Sequence, residues 1–77
     1  MAYFNGEGVA KDVDKAIQWF RNAAEQGHAE SQCVMGMCYE EGVGVVQDTD
    51  EAIKWYRKAA AQGEVNAFQS LKNLGVL

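Results

Sequence analysis

The chain has 77 residues, 48% of them hydrophobic and 23% charged, with no proline and a net charge of -4. That length makes one small domain near the lower limit for a single core, and an acidic chain without a basic stripe suits neither nucleic acid nor an anionic membrane surface, where phosphate neutralisation dominates affinity. No apolar run nears the roughly 20 residues that span a bilayer, and "MAYFNGEGVAKDVDK" has neither the basic start nor the apolar stretch of a signal peptide, so the expected compartment is the cytoplasm.

In chain order, Met1 and Ala2 leave only the stub of a first helix. "DVDKAIQWFRNAAEQG" then places Val13, Ala16, Ile17, Phe20, Ala23 and Ala24 at helical spacing, with Asp12 as the expected N-cap and Gly27 as the stop. "HAESQCVMGMCYEEG" reads as a second helix ending at Gly42, with Ser31, Met35, Cys38 and Tyr39 on one side. Cys33 and Cys38 fall on different sides of that helix, which argues against a disulfide between them and for free thiols in a reducing compartment. "GVGVVQD" is a tight loop. A third helix follows, with Asp48 and Glu51 in capping-box relation and Gly63 as its stop. In the last helix Ala67, Leu71 and Leu74 form a stripe, Phe68 flanks it, and Gln69, Ser70 and Asn73 are expected to solvate the outer face.

Sliding the chain by 36 residues aligns 3–27 with 39–63, with 14 of 25 positions identical. A period in the thirties marks a helical solenoid. The fold predicted is all-α: an α-α solenoid of about two helix-turn-helix repeats, with the shorter helices A-type and the longer ones B-type. Repeat one is 1–27 with its first helix truncated, repeat two is 28–63, and 64–77 is a capping helix.

The stretch "MGMCYEEGVGVVQDTDEAIKWYRKAAAQG" resembles the Sel-1-like repeat of the tetratricopeptide-like group. The residues that carry the resemblance are Ser31, Met35, Gly36, Tyr39, Gly42, Gly44, Val45, Asp48, Ala52, Trp55, Tyr56, Ala59, Ala60, Gln62 and Gly63, and in the earlier copy Tyr3 to Gly27, including Trp19. Ser31 and Met35 depart mildly from the alanine and leucine of the pattern, and Phe20 replaces a tyrosine. The resemblance implies a non-catalytic adaptor that holds other proteins together, as in bacterial signalling, envelope and host-contact settings and in eukaryotic degradation complexes. A branch of the family with disulfide-stapled helix pairs has no paired cysteines to match here.

The residues that suggest chemistry read better as structure. Trp19 and Trp55 are expected to fill seams between helices. The doubled G-x-G at Gly6, Gly8, Gly42 and Gly44 lacks the preceding strand and third glycine of a phosphate loop. His28 is the sole histidine, no motif places a serine or cysteine beside it for a triad, and Cys33 and Cys38 lack metal-ligand spacing for a zinc site. The carboxylates Glu7, Asp12, Asp14, Glu40, Glu41, Asp48, Asp50 and Glu51 sit mostly at helix starts, where acids cap. No enzyme activity, metal or cofactor is predicted.

Glu30, Cys33, Val34, Met37 and Glu41 form the candidate partner-binding set. They lie opposite Met35 and Tyr39 on an A-type helix, the kind that lines the concave face of tetratricopeptide-like stacks. Adaptable apolar residues framed by carboxylates suit a basic, amphipathic protein segment; the alternative is that Cys33, Val34 and Met37 pack on a neighbouring A-type helix. At the C-terminal end Lys72 stands where Gly36 allows close approach, and so should block a further B-type helix. At the N-terminal side, the face around Ile17 and Phe20 is expected to need cover from a second copy, a swapped helix or an upstream segment. A homodimer through that side is therefore the alternative reading, as a self-associating unit of a larger repeat protein.

Overall fold

The computed structural model describes residues 9–77, and side chains from Val13 onward. The described residues form four helices: α1 (Val9–Glu25), α2 (Ala29–Glu41), α3 (Thr49–Ala61) and α4 (Val65–Asn73). Short connections set neighbouring helices side by side. α2 packs on α1 and α3, α4 packs on α3, and α2 also touches α4. This is the expected all-α solenoid, with α1 and α3 as B-type helices and α2 and α4 as A-type, although α2 and α3 are both 13 residues long, so the A-type helix of that pair is not the shorter one.

Each connection is built from local chemistry. The His28 side chain caps α2: the Ser31 N–H donates to its Nδ1 at 3.2 Å, and the Ser31 hydroxyl lies 2.6 Å from the same nitrogen. Glu64, its counterpart one period on, caps α4 by accepting from the Asn66 N–H at 2.9 Å. Asp48 caps α3 through the Glu51 N–H at 3.2 Å. The capping box is only half made, because the Asp48 N–H donates to the Tyr39 carbonyl instead. Gly42 and Gly44 take left-handed backbone, both at φ 72°. At Gly44 a Cβ would also overlap the Ile17 side chain, so that position requires glycine twice over.

α1 departs from expectation at its start. It begins at Val9, so Asp12 lies inside its first turn and is not the cap. In the second copy, residues 45–48 stay out of a helix because Asp48 and Gln47 bond the carbonyls of Tyr39 and Glu40 at 2.8 Å. The counterparts of those carbonyls belong to residues 3 and 4, outside the described residues, and no proline interrupts helix formation at 9–12. The first-helix stub at Met1 and Ala2, with Gly6, Glu7 and Gly8, likewise lies outside them.

The core has two parts. Cys33, Ala52, Tyr56, Ala59, Ala67 and Leu71 pack between α2, α3 and α4. Ile17, Ala24, Met35, Cys38 and Trp55 pack between α1, α2 and α3. The backbones of α1 and α3 do not approach closely among the described residues, and the Trp55 indole fills the gap. α2 is central and buried around most of its circumference, from Ser31 to Cys38, as a helix packed on several sides must be. Gly36 permits this: a Cβ there would lie 2.6 Å from the Tyr56 ring. Glutamines lock the helix ends. Gln32 Nε2 donates to the Ala24 carbonyl, while Gln62 Nε2 donates to Gln32 Oε1 and to the Gly27 carbonyl.

Candidate partner-binding groove

α2 supplies one wall of an open groove of about 450 Å³, and α4 supplies the other. All five candidate residues line it. Glu30 and Glu41 are exposed at its rim, Met37 is 48% exposed, and Val34 is half-buried. Cys33 departs from the expectation of a contact surface. It is 5% exposed and belongs to the core with Tyr56 and Leu71, forming the floor.

Three groove residues of α4 were not foreseen as such. Gln69 and Ser70, expected to solvate an outer face, line the groove with Asn66. The repeat register held the signal, since one period back they correspond to Cys33 and Val34. Gln69 Nε2 donates to Asn73 Oδ1 at 3.1 Å, which holds its amide along the wall. Glu64 and Glu40 complete the rim, and Tyr56 closes the base. The Tyr56 hydroxyl donates to Glu40 Oε1 at 2.6 Å. Burial first, and then this bond to a carboxylate, hold the tyrosine's pKa well above its ordinary value.

Both thiols are also shifted upward. Burial raises Cys33, helped by the charge of Glu64. Burial raises Cys38, with Glu41 adding to the shift and Arg21 opposing it. Protonated, buried thiols are poor nucleophiles and poor metal ligands. They are free, as expected, but more deeply buried than half. Among the described residues no group of His, Cys, Asp or Glu is arranged to hold a metal ion.

The repeat residues fall into place with one exception. Ala52, Tyr56 and Ala59 are fully buried, Trp55 is 6% exposed, and Ala60 is half-buried. The Tyr39 hydroxyl accepts from Arg21 Nη2 at 3.0 Å. Gly27 and Gly63 close their helices with left-handed backbone. Trp19 is the exception: it is 65% exposed and fills no seam among the described residues. Trp55 is buried because α1 and α2 surround it, and no described element takes that place over α1. The N-terminal side differs from expectation accordingly. Ile17 is buried and Phe20 half-buried, and the open face carries Ala16 and Trp19.

No described helix is long and apolar enough to cross a membrane. No curated protein and no solved structure matches the chain. The family model for the Sel1 repeat matches residues 1–28 and 29–64, most of the chain. With the helix pairs, the 36-residue register and the glycine-closed turns, these two matches show that the chain belongs to the Sel1-repeat family.

Proposed function

We propose that this chain is a non-catalytic adaptor that binds a protein or peptide partner in the groove between α2 and α4. Sel1 repeats are typically protein–protein interaction modules. The observation that carries the specific reading is convergence. The five residues selected on one face of α2 meet the polar wall of α4 around one concavity. Exposed Met37 beside Val34 offers an adaptable apolar contact. The non-catalytic reading is supported by the buried thiols, whose pKa values are raised, and by Asp48 and Glu64, which serve as helix caps. The compartment proposed is the cytoplasm.

Self-association through the N-terminal side is the second reading, favoured by Trp19. The same residue type in the same register is 65% exposed in one copy and 6% exposed in the other. Absolute mass in solution over a wide concentration range separates the two readings. The adaptor reading expects a concentration-independent monomer whose partner binding is lost in Met37→Glu. A dimer that dissociates on dilution, and is abolished by Trp19→Ser, contradicts it in favour of self-association.

A further inference from the structure

Charge is not spread evenly over this molecule. α2 carries Glu30, Glu40 and Glu41 and no Lys or Arg. α1 and α3 together carry six basic and five acidic residues. The acid excess is therefore gathered on the groove side. Every charged residue that lines the groove is a glutamate, with Glu64 joining the three on α2.

The glutamates are also placed at the ends. Glu30 opens α2 and Glu40 closes it, ten residues apart in the helix, or about 15 Å at 1.5 Å per residue. Glu64, at the N-terminus of α4, shares the Glu30 end, because one period back it corresponds to His28. Between the two acidic ends lie Val34 and Met37 over the Cys33 floor, faced by the uncharged Gln69 and Ser70.

Resting on the peptide-binding reading above, we infer that the groove selects a cationic segment: one aliphatic side chain seated on Val34 and Met37, flanked on each side by Lys or Arg. In extended form, about 15 Å corresponds to a spacing of about five residues between the two basic positions. Rim carboxylates would steer such a segment in and fix its register. An acidic segment would meet like charge at both ends.

A displayed library of random dodecapeptides, selected on the intact chain, tests this. Selected peptides are then rebound to Met37→Glu, and to Glu30→Gln and Glu41→Gln singly and together. Both glutamates are exposed, so their amides leave the fold intact, which circular dichroism checks. The inference expects paired basic residues around an aliphatic one, binding lost in Met37→Glu, and each Glu→Gln weakening binding about twofold to fivefold. Peptides that bind at Met37 with no basic bias would overturn the cationic selection and leave the groove reading standing. Peptides indifferent to Met37→Glu, or no enrichment at all, would overturn both.

Discussion

Gly36 and Tyr56 set the distance between the two central helices. With a Cβ only 2.6 Å from the ring, Gly36→Ala must push α2 from α3 or turn a fully buried tyrosine out of its place. The expected loss is about 1–3 kcal/mol, against a total stability of about 4–11 kcal/mol for this length. Thermal melting should show it clearly, at about 4–8 °C per kcal/mol; an unchanged melting temperature would contradict the packing described. Tyr56 adds a pH signature. Its folded pKa lies above the ordinary value of 10.0, so the fold holds the neutral phenol better than the unfolded chain does. That stability is complete below pH 10 and declines as pH rises toward the folded pKa. The raised thiols of Cys33 and Cys38 act in the same direction from their ordinary value of 9.0. Tyr56→Phe should lower stability at neutral pH by about 1 kcal/mol and flatten the decline above pH 10, read from urea midpoints at a series of pH values.

At the scale of elements, the two tryptophans make a controlled pair. Trp55 is enclosed by α1 and α2 and has Lys58 over its ring at 4.7 Å, whereas Trp19 is 65% exposed with Phe20 edge-on at 5.4 Å. Trp55→Ala should cost about 3–5 kcal/mol and come near to unfolding the chain. Trp19→Ala should cost within about 0.5 kcal/mol. Equal losses in chemical denaturation would mean that Trp19 has a partner in solution. The same pair marks how far the sequence could be read. The four described helices and the stops at Gly27, Gly42 and Gly63 followed from apolar spacing and glycine placement, and the stacking register from the 36-residue repeat. Cys33 was misplaced because α2 is buried on several sides, and a helical wheel assumes one inside and one outside. Asp12 and the face of Trp19 were misplaced for another reason. Asp12 was read from its place just before the apolar pattern that opens at Val13, and Trp19 from its equivalence to Trp55, yet the second copy has an α2 before it, and no described element does the same for α1. The glutamine links were invisible, since Gln62 reaches the Gly27 carbonyl 35 residues away.

For the whole molecule, the consequence of the stack is a groove open on one side and acidic at both ends. Its walls come from α2 and α4, separate A-type helices that α3 holds in register. Neither helix alone presents the surface, so binding should require the folded stack and disappear with thermal unfolding. The most direct test of the account is a chemical-shift map of the nitrogen-15-labelled chain, titrated with a peptide selected on it. The account predicts perturbations at Val34, Met37, Gln69 and Ser70, with the Trp19 indole unmoved. Perturbations gathered on Trp19, Ala23 and His28, which line a separate concavity on the N-terminal side, would contradict it and move the binding face to the open side of α1.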